Sequence, residues 1–454
     1  MAHPRWTLTA CMLASSLAFI DGSVVNVALP SIGRSFGADA AELPWTISAY
    51  LLPLSALLMI GGAAGDRFGR RRLLLLGIGL FALASLGCAA APSLHLLYAA
   101  RALQGMGAAM LMPNSLGLLG NAFTGEARGR AIGTWASAGA IAAALGPPLG
   151  GWLVGAIGWR WIFFLNLPVA LAGMAVVALF VGESRRGEQA LDGVGALTAT
   201  IGLGALTWGL TLWSARHQLV TAAGAGIAVG LGALGLFLRW EKQRGDQAMM
   251  PLALFGTRAS VGLTVYTFLL YGALGGLLVL LPYVLQQGGY SPLRAGLALL
   301  PFPVLVGTCS RLVGRYAARI GPRWPLTLGP FVTACGFALL VRVDPAASYA
   351  ATVLPGVLTL ALGMAGAVAP LTTAVLSAVD DAHAGIASGF NSAIARAGGL
   401  VATALSGAVI AARHRDIVGA FHGAALVGAG LALAAAGAAF LTLDGAPRGG
   451  TRRP

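Results

Sequence analysis

Long apolar stretches follow one another along almost the whole chain, and only short polar segments separate them. Each stretch has about 20 residues, the length that an α-helix needs to cross a hydrocarbon core of about 30 Å. The pattern predicts an all-α integral membrane protein with fourteen transmembrane helices and no soluble domain. The predicted spans are residues 7–29, 44–64, 73–91, 94–119, 131–154, 160–181, 194–213, 219–238, 260–282, 293–314, 325–341, 349–371, 384–410 and 419–442.

The longest polar interruption, residues 239–259, follows the eighth predicted span. A weak internal repeat supports a division there, because Gly62 and Gly69 after the second span align with Gly314 and Gly321 after the tenth. Parallel repeats of this kind form two halves around a midplane site in many transporters. We predict an N-terminal six-helix half, two inserted helices, a cytoplasmic linker, and a C-terminal six-helix half with a short basic tail, at residues 1–182, 183–238, 239–259 and 260–454.

The net charge of +14 is distributed unevenly among the polar segments. If the N-terminus is cytoplasmic, twenty Lys and Arg residues fall on that side and seven on the other, with Arg101 and Arg396 inside spans. Cytoplasmic loops carry an excess of cations, so both termini are expected in the cytoplasm. Topology thus accounts for the charge without nucleic acid. One lysine against 28 arginines is typical of a high-GC bacterium, which indicates a bacterial cytoplasmic (inner) membrane.

The residue types that would indicate an enzyme or a metal site are not suitably placed. Cysteines 11, 88, 309 and 335 all fall in predicted spans, with no CxxC and no histidine pair at metal spacing. The only lysine, Lys242, is followed by Gln243, so the Gly-Lys-Ser/Thr loop of an ATPase is absent. We expect no catalytic residue, metal or cofactor. The first span runs past Asp21 to Leu29 with no cleavage site and is expected to be retained.

Two charged residues of the N-terminal half lie inside predicted spans at similar depths, Asp21 in the first and Arg101 in the fourth. Charge in the hydrocarbon region is costly unless paired, which predicts an ion pair. The alternative is that Arg101 extends outward and Asp21 bonds to its own helix backbone. Asp21 is the only carboxylate that we place within a span. Burial favours its protonated form and arginine its ionised form, so we predict Asp21 and Arg101 as the proton-coupling groups.

The segment between the second and third spans is short, cationic and rich in glycine, with one carboxylate. Topology alone would account for the arginines, but not for the glycines and the acid. The segment resembles the signature loop of the major facilitator superfamily, with the pattern Gly-x-x-x-Asp-Arg-x-Gly-Arg-Arg, here Gly62, Asp66, Arg67, Gly69, Arg70 and Arg71. The resemblance implies a conformational latch at the cytoplasmic face that stabilises the outward-open state. Ala318 replaces the acid in the C-terminal half, so a symmetric latch is not expected.

The fifth span contains small residues every four positions, Ala142, Gly146 and Gly150, which permit close helix approach. This stripe could serve membrane packing alone. The segment also resembles an antiporter motif of superfamily exporters, matched by Gly146, Pro147, Gly150 and Gly151.

The fourth span resembles the superfamily's Arg-x-x-x-Gly motif linked to proton transfer, matched by Arg101 and Gly105. Two further segments resemble the fourteen-helix drug:proton antiporter family of this superfamily. They are the first span around Asp21 and the thirteenth span with Asn391 and Arg396. The resemblance implies the major facilitator fold with two extra central helices, which we expect beside the bundle and outside the transport path.

The resemblance implies a proton-coupled secondary active exporter of small lipophilic compounds such as antibiotics, dyes or biocides, by alternating access. An importer or proton symporter of a small metabolite is the alternative, which the fifth-span motif disfavours. One carboxylate and up to two arginines suit neutral, monocationic or anionic substrates better than dications. Substrate-pathway candidates, which include aromatic residues that could simply pack, are Asn26, Tyr50, Gln104, Asn114, Tyr266, Phe268, Tyr271, Phe390, Asn391 and Arg396. We expect a monomer whose partners are substrate, protons and lipid; the sequence does not bear on an adaptor protein.

Overall fold

A computed structural model of the chain describes residues 4–39, 42–183, 192–215, 220–245, 248, 256–379, 384–411 and 416–443. These described residues form α-helices and no β-strand. The helices are α1 (Pro4–Phe36), α2 (Trp45–Phe68), α3 (Arg70–Ala90), α4 (Leu94–Ala122), α5 (Gly125–Ala156), α6 (Trp161–Phe164), α7 (Asn166–Phe180), α8 (Gly193–Ala215), α9 (Val220–Arg244), α10 (Arg258–Gln287), α11 (Pro292–Leu299), α12 (Pro301–Ile320), α13 (Arg323–Leu340), α14 (Tyr349–Thr352), α15 (Leu354–Ser377), α16 (Ala384–Leu405), α17 (Gly407–Ala411) and α18 (Ile417–Thr442).

The helices confirm an all-helical protein with many membrane-length segments. Eleven helical segments of the described residues are long and apolar enough to cross a membrane, and α2 is a twelfth if its two arms, bent by 52°, count as one span. Helix α4 has 29 residues but is not one of these apolar segments, because Arg101, Gln104 and Asn114 make it more polar. The length and composition of the described helices therefore do not reproduce the predicted number of fourteen spans.

Small residues bring the helices of each half together. In the N-terminal half, a side chain at Gly61 would overlap the carbonyl of Ala109, so α2 and α4 approach backbone to backbone. In the C-terminal half, a side chain at Gly398 would overlap the carbonyl of Phe268 on α10. Since lipid provides no hydrophobic force between helices, such close packing is a main source of their association.

The two halves meet where α1, α5 and α10 end and α11 begins. A side chain at Gly151 would overlap the carbonyl of Pro292, and one at Gly296 would overlap the carbonyl of Pro147. The amide of Gln286 also donates to the carbonyl of Val27 across the halves, at 2.9 Å. The halves are thus in close contact at this end of the bundle.

The inserted helices α8 and α9 pack along each other, and α8 also contacts both halves. Leu52 of α2 lies beside Gly204, and the Ser214 hydroxyl donates to the carbonyl of Ala404 on α16 at 2.9 Å. Large side chains of α9, including Leu231 and Leu236, are exposed on its other side. The pair therefore borders the bundle at the seam between the halves.

Helix α9 is longer than the eighth predicted span. It continues through residue 244 rather than ending at 238, and so includes the start of the predicted linker. Glu241 is fully buried in this polar helix end and hydrogen-bonds to Asp192, so Asp21 is not the only buried carboxylate, and its place as the only carboxylate within a span stays a prediction. The change of hydropathy at residue 239 marks a polar helix end, not the end of the helix. Linker residues 246–247 and 249–255, and the tail 444–454, lie outside the described residues.

The segment that resembles the signature loop, residues 61–72, is almost entirely helical, although the sequence predicts a loop there. Only Gly69 interrupts it, with φ of +105° between α2 and α3. A positive φ is readily adopted by glycine and rarely by other residues, which explains the break at this residue. Gly321, its predicted counterpart, has φ of +81° between α12 and α13. The backbone thus repeats at this position in both halves.

Candidate functional site

The structure places Asp21 of α1 and Arg101 of α4 in contact, as their depths predict. A guanidinium nitrogen of Arg101 donates to Oδ2 of Asp21. The exposed fraction is 0% for Asp21 and 1% for Arg101, so solvent does not screen the pair. A buried ion pair tolerates its desolvation cost only where further hydrogen bonds satisfy both partners.

Those further hydrogen bonds come from Gln104 on α4 itself and from the neighbouring helices α3 and α7. Gln104 accepts from Arg101 at 2.6 Å and donates to Oδ1 of Asp21 at 2.8 Å. Asn166, at the start of α7, donates to the same Oδ1 at 3.2 Å. The hydroxyl of Ser85 on α3 accepts from both amides, at 2.9 and 3.3 Å. We call Asp21, Ser85, Arg101, Gln104 and Asn166 the proton network.

The remaining surroundings of Arg101 are a carbonyl and two aromatic rings. Its Nε donates to the carbonyl of Thr46 at 3.0 Å. The guanidinium carbon lies 4.3 Å from the centre of the Tyr50 ring and 5.8 Å from that of Phe163. A cation over an aromatic face is stabilised by the ring quadrupole. Gly105 allows the close approach, because a side chain there would overlap the carbonyl of Tyr50.

This arrangement can accept a proton at one defined place. The carboxylate of Asp21 balances the charge of Arg101, and the other network members are neutral amides and a hydroxyl. A proton on Asp21 would leave the buried Arg101 charge without its counterion, which is costly in a low-dielectric site. The charge of Asp21 is therefore linked by hydrogen bonds to each helix that supplies the network.

The signature residues Asp66 and Arg70 form an ion pair across the α2–α3 turn. Two guanidinium nitrogens of Arg70 lie 2.6 Å from Oδ1 of Asp66. Arg67 is exposed, with its guanidinium carbon 5.6 Å from the centre of the Phe68 ring. Gly62 faces Pro113 of α4, so it contributes to packing between α2 and α4.

Arg71 and Glu183 fasten α3 to the end of α7. The Arg71 guanidinium donates to the carbonyl of Ala178 at 2.9 Å. The carboxylate of Glu183 accepts from the backbone N–H groups of Arg71 and Arg72, at 3.0 and 3.2 Å. An anion at a helix N-terminus is favourable because the first N–H groups have no partner within the helix. The latch role that the resemblance implies remains a prediction.

The antiporter-motif residues lie at two interfaces of α5. Side chains at Gly146 and Gly150 would overlap Ser23 and Val24 of α1. Gly151 and Pro147 face α11 of the other half, as described above. The motif therefore packs α5 both against the helix that carries Asp21 and against the C-terminal half.

The substrate-pathway candidates do not form one group. Tyr50 and Gln104 are buried around the Asp21–Arg101 pair. The side-chain amide of Asn114 on α4 donates a hydrogen bond to the carbonyl of Gly61 on α2, at 2.9 Å. Asn26 is 7% exposed, in α1.

The candidates of the C-terminal half occupy α10 and α16. Tyr266 is fully buried, and Phe268 is 37% exposed. Asn391 accepts from the Thr267 hydroxyl at 2.7 Å, while Tyr271 and Phe390 are partly buried. Arg396 reaches across to the N-terminal half, where its guanidinium contacts the sulfur of Met112 at 2.8 Å.

Sequence reasoning missed Ser85, Asn166 and Glu183. Asn166 follows the aromatic run Trp161–Phe164 and resembles an interfacial residue, and Ser85 is a small residue typical of helix packing. One available signal was that both are polar residues within apolar spans. Their partner could not be chosen without the helix arrangement.

Residues 11–403 match the profile of the Major Facilitator Superfamily. The chain belongs to this superfamily. It is thus a multi-pass helical membrane transporter, and its relatives include proteins named for multidrug efflux and antibiotic resistance.

Three such relatives match most of the chain. Multidrug resistance protein Stp of Mycobacterium tuberculosis is 35% identical over 414 residues, covering 89% of this chain and 76% of that protein. Drug efflux pump JefA of the same organism is 33% identical over 415 residues, covering 90% and 80%. The tetracenomycin C resistance and export protein of Streptomyces glaucescens is 30% identical over 423 residues, covering 91% and 77%.

Solved transporters share the fold of this superfamily member at low identity. The inward open xylose transporter XylE from E. coli has a TM-score of 0.68 at 17% identity, covering 98% of both chains. The peptide transporter POT has a TM-score of 0.69 at 15% identity, covering 98% of this chain and 96% of that one. These likenesses support the fold alone.

Proposed function

We propose that the chain is a proton-coupled exporter of small lipophilic compounds, with Asp21 as its proton site and Arg101 as the counterion. The carrying observation is the fully buried Asp21–Arg101 pair within the proton network. The names of the relatives support export of drugs or antibiotics. The contacts of Gly146 and Gly151 support a link between the Asp21 helix and the other half.

Coupling follows from the electrostatics of the pair. While Asp21 is ionised, the network is neutral overall and holds α1, α4 and α7 together. A proton on Asp21 removes that balance and favours a different packing of the same helices, which is the two-state element that alternating access needs. One proton moving down 100 mV supplies about 2.3 kcal/mol, enough for a roughly fortyfold substrate gradient.

We further propose fourteen spans with both termini in the cytoplasm of a bacterial inner membrane. Besides the eleven apolar segments and the bent α2, helices α4 and α13 are long enough to cross. At 1.5 Å per residue they measure about 44 and about 27 Å. With this orientation the α5–α11 contact lies at the outer face, which supports a state closed to the outside.

Export from energised inside-out vesicles tests this function. The probe is the neutral dye N-phenyl-1-naphthylamine, and accumulation in the vesicle lumen is followed with and without a protonophore. We expect accumulation that the protonophore stops and that Asp21→Asn abolishes. The matched control is Asp39→Asn, the same change at an exposed residue, which should transport normally. Accumulation that survives the protonophore would contradict proton coupling, and release of dye instead of uptake would favour an importer.

A further inference from the structure

A second arginine, partly buried, lies at the junction of the two halves, outside the proton network. Arg396 is in the middle of α16, and its guanidinium contacts Met112 of α4 at 2.8 Å. It also lies close enough to Tyr50 of α2 for an electrostatic interaction with the hydroxyl. Arg396 therefore sits between N-terminal and C-terminal helices at the level where α16 meets α2.

The two arginines differ in how their charge is balanced. Arg101 is paired with the carboxylate of Asp21. Within the described ranges, no carboxylate forms an ion pair with Arg396. Among the described residues, the charge of Arg396 therefore has no anionic partner.

The chemistry of Arg396 indicates what would complete its surroundings. A guanidinium has five N–H donors in a planar fork, while a thioether sulfur is only a weak acceptor. A partly buried charge without a strong partner is unfavourable, and the fork matches a planar or tetrahedral oxyanion in two-point hydrogen bonding. Methionine is flexible, so the Met112 side chain can move aside for a ligand.

We propose that Arg396 is an anion-binding residue of the transport pathway and that the chain preferentially carries lipophilic compounds with a single acidic group, such as a carboxylate or sulfonate. This inference rests on the proposed function and names its substrate class. The apolar part of such a compound occupies the membrane-embedded pathway, and its oxyanion replaces Met112 as the partner of Arg396. The anion binds to Arg396 and does not occupy Asp21, so the substrate does not compete with the proton for that carboxylate.

The charge carried per cycle follows from this class. Exchange of one inward proton for one outward monoanion moves two positive charges inward, whereas exchange for a neutral molecule moves one and for a monocation none. A membrane potential alone should therefore drive export of anions more strongly than export of neutral compounds.

The test uses purified full-length protein in proteoliposomes and three dyes. The monoanion 1-anilinonaphthalene-8-sulfonate and the neutral N-phenyl-1-naphthylamine share one ring system, and ethidium is the cation. We expect wild type to move the sulfonate best. Arg396→Gln should reduce sulfonate transport at least tenfold and change naphthylamine transport less than twofold, while Arg239→Gln, the same change at an exposed site on α9, should leave both unchanged.

Arg396→Lys provides a second arm, including the case in which the glutamine variant does not fold. It retains the charge without the fork, and we expect an increased KM for the sulfonate with little change for the neutral dye. An equal loss for all dyes would overturn the proposal and make Arg396 a residue of the general cycle. Wild type that moves the neutral dye or ethidium but not the sulfonate would also overturn it and leave the proposed function intact. If wild type moves none of the three dyes, the proposed function fails and this proposal fails with it.

Discussion

Gln104 is the residue that joins both members of the buried ion pair. It accepts from Arg101 and donates to Asp21, so Gln104→Leu removes two charge-assisted hydrogen bonds at once. Hydrogen bonds to charged groups contribute about 1.5–3 kcal/mol each. We expect lower thermal stability in detergent and at least tenfold slower dye export. The control is Gln243→Leu at an exposed site on α9, which should change neither measurement.

A second acidic site predicts how stability depends on pH. Burial raises the pKa of Asp192, but hydrogen bonds from Gly195, Trp240 and Glu241 oppose it. Together with the positive charge of Arg244, these contacts bring the pKa below its ordinary value. Because the folded protein favours the ionised form, the stabilisation is present above about pH 3.9 and is lost as pH falls through the lowered pKa.

Asp192→Asn should therefore reduce the free energy of unfolding by about 1–2 kcal/mol at pH 7. The difference from wild type should shrink as the pH falls below 4. Melting curves of both proteins between pH 7 and pH 3 provide the measurement. A difference that grows towards low pH would contradict a lowered pKa of Asp192 in the folded protein.

At the scale of helices, the packing of α5 against α1 depends on residues without side chains. A methyl group at Gly150 would overlap Val24, whereas one at Gly155 would meet nothing within 4 Å. We expect Gly150→Ala to destabilise the protein by about 1–3 kcal/mol and to slow export, because overpacked interfaces force backbone shifts. Gly155→Ala should be neutral or stabilising by up to about 1 kcal/mol. Equal behaviour of the two variants in melting and export assays would refute the interface argument.

Helix continuity was the feature that hydropathy described least well. The fall in hydropathy after residue 238 was interpreted as the start of a linker, yet α9 continues to Arg244 because its polar end packs against Asp192. The segment before Arg70 was interpreted as a loop because it is charged. Helices extend beyond the apolar region whenever their polar ends find partners, which a hydropathy profile does not contain.

For the whole molecule, the proposed topology predicts which side each connection faces. The two ends of α4 and of α13 must lie on opposite sides of the membrane. In a cysteine-free variant, single cysteines at Pro92 and Ala347 should react with an impermeant maleimide added outside intact cells. Cysteines at Thr124 and Pro322 should react only after lysis. Reaction of Pro92→Cys and Thr124→Cys from the same side would exclude α4 as a span.

The sequence was sufficient for the class of protein, the superfamily and the Asp21–Arg101 contact. That contact was predictable because an intramembrane charge needs a partner and only one opposite charge lies at matching depth. The contacts of Asn166 and Glu183 were not predictable, because neutral amides and helix-end carboxylates have many possible partners. Which helices surround Arg396 also depends on the arrangement of the two halves, which single-helix patterns do not specify.

The most direct test of the account is substrate-driven proton movement through Asp21. Purified protein is reconstituted in liposomes that contain a pH indicator, and an outward gradient of N-phenyl-1-naphthylamine is imposed without any pH difference. We predict that wild type moves protons inward as dye leaves, and that Asp21→Asn shows no dye-dependent proton movement while remaining folded. Dye-dependent proton movement by Asp21→Asn at the wild-type rate would contradict it.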